Sequence, residues 1–158
     1  MDLEGTGGLE EEREGRTSMI RGLGVDLVSV KRMEEAVARH GEKLLNRVFT
    51  PREIEYCMSK GFPAQHLAGR WAIKEAFFKA MGIGWGQGLR WREVGLEGET
   101  GAVARVVLRG EMKKRAENGG IRQVWASLSH EKEFAVATVL LSDSKEDENP
   151  SLEGANLA

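Results

Sequence analysis

The chain has 158 residues and a formal net charge of −2, with 41% hydrophobic and 30% charged residues, a composition that supports one packed domain and excludes global disorder. No apolar run approaches the roughly 18–20 residues of a membrane span, and the single cysteine, Cys57, rules out an internal disulfide and suits a reducing, cytoplasmic setting. The near-neutral charge is a cancellation: residues 1–17 and 142–158 carry −4 each, while residues 18–141 carry +6, a surplus that favours anionic ligands or partners.

In chain order, residues 1–17 hold almost nothing to bury and lack the basic end and apolar stretch of a signal peptide. They read as an acidic disordered extension or an over-long start. Residues 20–28 read as a strand in which Leu23, Val25 and Leu27 alternate with Gly22, Gly24 and Asp26. Ser29 caps a helix to Val48 that turns Met33, Val37, Leu44 and Val48 towards the core, interrupted at Gly41. Thr50-Pro51-Arg52-Glu53 has the makings of a capping box with proline at the first helical position; this short helix ends near Lys60-Gly61. Pro63 opens a third helix, closed at Gly82. Residues 82–88 contain four glycines and form a loop. Strands are expected over 90–96 and 103–108, then a helix over 111–117 stopped by Asn118-Gly119-Gly120. A hairpin of strands 123–129 and 134–141 follows, around His130-Glu131-Lys132-Glu133. Residues 142–158 read as an acidic disordered tail. Helices early and strands late predict an α+β fold with an antiparallel sheet, its one domain spanning 18–141.

The third helix carries the chemistry. At about 100° per residue, Ala72, Ile73, Ala76, Phe77 and Ala80 share one half of its circumference. Arg70, Lys74, Glu75 and Lys79 share the other half with Trp71 and Phe78. Taken alone, Glu75 and Lys79 are a surface i, i+4 pair worth about 0.3–0.5 kcal/mol. Asp26 is an acid inside an apolar strand pattern, although a solvent-facing residue before a helix start would look the same. Together with Glu75 it offers what Mg²⁺ accepts, one or two carboxylates with water and substrate phosphate completing the shell. Lys74 and Lys79 would offset phosphate charge. The glycine loop would let backbone approach a ligand closely, but it meets neither nucleotide-binding spacing. Three scattered histidines and one cysteine make no zinc site. Cys57 and Met58 read as helix packing, His40 and His66 as surface or partly buried groups. Trp85 and Trp91 read as cover for the glycine loop or as a subunit contact.

Four segments occur in order: Gly22-Leu23-Gly24-Val25-Asp26-Leu27-Val28, Phe49-Thr50-Pro51-Arg52-Glu53, Leu67-Ala68-Gly69-Arg70-Trp71-Ala72-Ile73-Lys74-Glu75-Ala76-Phe77-Phe78-Lys79-Ala80 and Ser127-Leu128-Ser129-His130. Over about residues 19–141 the chain resembles the holo-acyl-carrier-protein synthases, the short 4′-phosphopantetheinyl transferases. The resemblance implies Mg²⁺-dependent transfer of 4′-phosphopantetheine from coenzyme A to a serine of apo acyl carrier protein, in fatty acid biosynthesis, with adenosine 3′,5′-bisphosphate leaving. Such a transfer needs charge neutralisation and in-line positioning more than a protein nucleophile. By the same resemblance Asp26 and Glu75 are metal ligands and Lys79 a phosphate contact, these three forming the catalytic set. Arg70 contacts coenzyme A or carrier, Gly82 and Gly84 line the coenzyme A groove, and His130 lies at its adenosine-phosphate end. The base that takes the serine proton stays open between Glu75 and a metal-bound hydroxide.

On the first helix Arg32, Arg39, Lys43 and Arg47 recur so as to share a face. Alone this is a solvated face; the resemblance makes it the docking surface for an acidic carrier. Members of this length resemble half of the larger surfactin-synthetase-type enzymes, so the chain is expected to complete its groove with a neighbour as a homo-oligomer, and the family resemblance implies a cyclic trimer with interfacial sites. A non-catalytic binding module of the same fold is the rival in another class, and the intact Asp26, Glu75 and Lys79 set argues against it. A nucleic-acid binder is disfavoured because no aromatics interleave with the basic stripe. Gly101-Ala102-Val103 departs from the Gly-Lys-Pro-like turn frequent in the family.

Overall fold

The structure, a computed structural model, describes residues 19–98 and 105–144. Strand β1 (Ile20–Ser29) leads into helices α1 (Val30–Val48), α2 (Pro51–Met58) and α3 (Pro63–Ala80). A 3₁₀ turn at Trp91–Glu93 precedes β2 (Val94–Glu97) and β3 (Arg105–Leu108), followed by α4 (Gly110–Asn118), β4 (Gln123–His130) and β5 (Phe134–Ser142). Strands β1, β5 and β4 form an antiparallel sheet in that order, and β2 with β3 forms a second antiparallel pair. The α+β architecture is the one expected. The departure at residues 101–103 and the start of the strand expected from 103 lie outside the described residues.

Local chemistry sets the element ends. The Ser29 hydroxyl accepts from Arg32 N–H at 3.3 Å. At Thr50 the capping box is complete: Glu53 N–H donates to Thr50 Oγ1 at 3.2 Å and Thr50 N–H to Glu53 Oε2 at 2.9 Å. Gly41, at φ 51° and ψ −134°, breaks α1 into two segments, a conformation closed to residues with a Cβ. Leu45 is buried together with Met33 and Val48, while Val37 and Leu44 are half-buried.

Helix α3 lies across one face of the three-stranded sheet, packing Ala72, Ile73, Ala76 and Phe77 with Ala137, Val139 and Leu141. The contact is close because β1 presents glycine there. A Cβ on Gly22 would sit 2.1 Å from Ala80 O, and one on Gly24 would sit 1.9 Å from Ala76 O. The inward face of β1 is therefore Gly22, Gly24 and Asp26, whereas Leu23, Val25 and Leu27 are exposed at 65%, 57% and 63%. The register sets them on the same face as Val136 and Trp125, also exposed, and beside Phe134.

Two features differ from the sequence reading. Residues 90–93 are not strand: Glu93 N–H donates to Arg90 O in the 3₁₀ turn, and the Trp91 ring packs at 4.6 Å from Trp71 and 5.1 Å from Phe78. At the other end β5 runs through Ser142, paired with Ile20 and Gln123. Asp143 then accepts from Met19 N–H and from the Arg21 guanidinium, both at 2.7 Å.

Candidate active site

Asp26 lies on the α3 side of β1, and Lys79, in the last turn of α3, donates to its Oδ1 at 2.7 Å and to Val25 O at 3.1 Å. Asp26 is 7% exposed and its Oδ2 has no hydrogen-bond partner. Glu75, one turn before Lys79, faces the same aspartate. Burial, followed by its contact with Asp26, pushes the Glu75 carboxyl up to about 7, against opposing effects of Trp71 and Lys79. The bond to Asp26 in turn raises the Lys79 ammonium above its ordinary value. Lys79 and Glu75 thus both meet Asp26, whose Oδ2 is left without a hydrogen-bond partner while the Glu75 carboxyl resists ionisation. The Glu75–Lys79 pairing suggested by their spacing gives way to Asp26–Lys79, because β1 delivers the aspartate against this turn of α3.

Gly82 and Gly84 follow directly. Gly82, at φ 69°, closes α3, with its N–H on Lys79 O and that of Ile83 on Phe78 O. Gly84 N–H donates to Gln87 Oε1 at 2.7 Å, bracing the loop. A cavity of about 350 Å³ opens beside the pair, lined by Leu27, Met33, Trp71, Glu75, Trp85 and Arg32 among others.

Arg70 and Lys74 do not join this site. They are buried, at 5% and 0% exposure, because α3 is covered by α2 as well as by the sheet. Lys74 Nζ pairs with Glu53 at 2.9 Å and donates to Trp91 O and Val94 O, and burial lowers its basicity. It is a structural cation tying α2, α3 and β2 together, not an open phosphate contact. Arg70 stacks on Tyr56 at 4.1 Å, with its Nε buried and unpartnered.

His66, one turn earlier, stacks edge-on with Tyr56 and with His130, ring centroids 5.9 and 5.2 Å apart. Burial holds its pKa below the usual value, reinforced by the positive surroundings of His130, Arg70 and Lys60. Arg70 and His130 therefore belong to a second cluster. Asp26 and His130 sit on the same sheet face, two strands and two residues apart in register, or about 12 Å. The sequence assigns no role to Tyr56 and Lys60, and places His66 only as a surface or partly buried group. Their signal was positional: His66, Arg70 and Lys74 recur every fourth residue, opposite Glu53, Tyr56 and Lys60 on α2 and just after it.

Gly41 also divides the basic stripe of α1. Arg32 and Arg39 stand on the first segment, Lys43 and Arg47 on the second, and all four are exposed. A single shared face requires an unbroken helix, which α1 is not.

Residues 22–139 match the 4′-phosphopantetheinyl transferase superfamily. The chain belongs to the holo-[acyl-carrier-protein] synthases of that superfamily. It is 40% identical over 123 residues to the holo-[acyl-carrier-protein] synthase of Geotalea daltonii, covering 78% of this chain and 98% of the relative. The crystal structure of the Neisseria meningitidis synthase superposes with a TM-score of 0.71 at 32% identity, covering 78% of this chain and 98% of the other. The Helicobacter pylori synthase in complex with coenzyme A gives 0.66 at 32% identity, over 75% and 98%. Holo-[acyl-carrier-protein] synthases are phosphopantetheinyl transferases, and the chain is an enzyme of that class. No helix among the described residues is long and apolar enough to cross a membrane.

Proposed function

We propose that this enzyme moves 4′-phosphopantetheine from coenzyme A to a serine of an apo acyl carrier protein, with Mg²⁺ as cofactor, serving fatty acid biosynthesis in the cytoplasm. The serine oxygen gives up its proton to a base at the site and bonds to the β-phosphorus of coenzyme A, the bond from that phosphorus to the bridging oxygen breaks, and adenosine 3′,5′-bisphosphate leaves. The observation that carries the reading is the Asp26–Glu75–Lys79 arrangement in a chain of this family.

Its donor set fits a hard dication. Among the described residues no group of three or more His, Cys, Asp or Glu side chains is placed to hold a metal, yet Mg²⁺ needs only one or two carboxylates when phosphate and water supply the rest. Asp26, with its unused Oδ2, and Glu75 would hold it. When bound, it neutralises charge on the pyrophosphate. Lys79 adds a second positive charge, and Gly82 and Gly84, having no side chains, let the coenzyme approach this loop closely. Arg32, Arg39, Lys43 and Arg47 attract the acidic carrier. The 350 Å³ cavity beside Glu75 receives the serine.

The apolar sheet face supports a homotrimer. Leu23, Val25, Leu27, Trp125, Phe134 and Val136 are exposed on one face of the sheet, and clustered exposed apolar side chains of this kind mark interaction surfaces. In a trimer with interfacial sites, Arg70 and His130 of one subunit complete the Asp26 site of the next, His130 at the adenosine-phosphate end. Residues 1–17 are an acidic extension of the transferase domain, and the second extension begins later than residue 142, because Ser142 closes β5 and Asp143 bonds Met19 and Arg21.

The test incubates the protein with Mg²⁺, coenzyme A and an apo carrier, then weighs the carrier. A phosphopantetheine mass gain is expected, and none with a validated carrier refutes the reading. Sedimentation of the active enzyme as a monomer refutes the trimer.

A further inference from the structure

A second cavity, of about 570 Å³, lies on the other side of Trp85. Its lining includes Arg47, Arg90, Arg92, Trp85 and Trp91, with Glu93 as its one acid. Glu93 is occupied: its Oε2 accepts from Met112 N–H at 3.0 Å, at the start of α4. Arg47, Arg90 and Arg92 are exposed, and among the described residues none of them has a carboxylate partner. Three guanidiniums around one cavity repel one another, and no ion pair among the described residues offsets that repulsion.

The walls are built, not slack. The Trp91 ring is fixed against Trp71, Phe78 and Trp85. The Arg115 guanidinium donates to Gln87 O at 3.1 Å, tying α4 to the glycine loop. Gly86 and Gly88, at φ 83° and 77°, let that loop turn over the cavity. Trp85 also lines the cavity that contains Glu75 and Arg32, so the two cavities share a wall.

We infer that the Arg47–Arg90–Arg92 cavity is a second docking centre for the carrier protein, receiving a carboxylate-bearing segment of it while its serine occupies the cavity beside Glu75. The inference rests on the proposed function and extends it from α1 to the loop before β2. Charge complementarity selects the occupant: a carboxylate can be gripped by two guanidinium forks at once, and indole faces cover its apolar flank. Continuity selects the source, since Arg47 belongs to the basic second segment of α1 and Trp85 borders the catalytic cavity. The kink at Gly41 then separates two contact centres, Arg32 beside Glu75 and Arg47 beside Arg90 and Arg92. Two separated charge contacts fix the orientation of a docked partner, which one stripe does not.

The experiment measures transfer by wild type and by Arg90→Glu/Arg92→Glu at low salt, varying carrier and coenzyme A separately. Carrier KM is expected to rise roughly tenfold or more, with the difference collapsing at high salt as the charges are screened. Arg90→Gln/Arg92→Gln, which removes charge without reversing it, should show a smaller rise in the same direction and guards against a reversal variant that fails to fold. An unchanged carrier KM in both variants overturns the inference. So does a rise confined to coenzyme A KM, which would assign the cavity to the co-substrate's phosphates. Wild type that transfers nothing defeats the proposed function itself, a result distinct from either.

Discussion

Gly24→Ala tests whether the catalytic geometry depends on the close approach of β1 to α3. The added Cβ would sit 1.9 Å from Ala76 O and 2.8 Å from Ala80 N, both backbone atoms that cannot swing aside. Bringing the first contact even to 3.0 Å needs β1 and α3 to part by about 1.1 Å at this point. Overpacking of that kind costs about 1–3 kcal/mol. The separation falls two residues from Asp26, between the strand that carries it and the helix that carries Glu75 and Lys79. A misplacement near 1 Å costs about 10²-fold in rate. Urea denaturation should show the loss of stability, and the carrier mass assay should show kcat reduced by about two orders of magnitude in protein that is still folded. Gly61→Ala is the control: nothing lies within 4 Å of its Cβ position, and the substitution should be neutral or stabilise by about 0.4–1 kcal/mol through the unfolded chain. If Gly24→Ala behaves like Gly61→Ala, the close-approach argument is wrong.

The remaining predictions concern charge. Glu75→Gln and Asp26→Asn should each cut turnover by about 10²-fold or more with circular dichroism unchanged; near-normal activity in either removes that residue from the metal site. In metal-free protein the Glu75 carboxyl titrates at about 7, against an ordinary 4.5, so the folded state binds the proton more tightly than the unfolded chain. Its stabilising contribution is therefore full below about pH 4.5 and fades as pH rises through about 7. Urea midpoints in chelator from pH 5 to 8 should fall with pH in wild type relative to Glu75→Gln, and parallel profiles would refute the assignment. Lys74→Met strands the buried Glu53 carboxylate and should cost about 3–5 kcal/mol by urea denaturation, whereas a loss below about 1 kcal/mol would mean that the pair is not the structural tie described.

The sequence displayed most of the frame because local chemistry set it. The Thr50 capping box, the proline at the start of α3 and the hairpin around residues 131–133 each depend on neighbours within a few residues, and each formed as expected. What escaped was decided by tertiary contact. Alternation along β1 revealed two faces but not which one faces in. The usual preference for Leu and Val inside is reversed because only glycine lets α3 come so near. The charged half of α3 was legible as a half, yet α2 covers part of it, so Arg70 and Lys74 are buried while Lys79 stays exposed. Asp26, Glu75 and Lys79 were grouped correctly in space, though the residues alone could not say that Asp26 would take the lysine that spacing offered to Glu75.

Two oddities of the single chain become one under the proposed function. Arg70, one turn after His66, is held nine residues from Lys79 along α3, about 13 Å by helical rise, while His130 is about 12 Å from Asp26 across the sheet. Cations so placed do little for a phosphate bound at Asp26 of the same chain, and the Arg70 Nε is left buried and unpartnered. The opposite sheet face exposes Leu23, Val25 and Leu27, a cost for any chain that stays alone in water. Packing that face against other copies removes the cost, and in the proposed trimer the basic cluster of one copy completes the carboxylate site of the next. If the copies assemble in this way, the contact is best probed by placing a charge on β1 itself. Val25→Lys faces away from α3 and from Asp26, so it should spare the fold, dissociate the assembly and abolish transfer together. A dissociated variant that retains full transfer would show that each chain completes its own site.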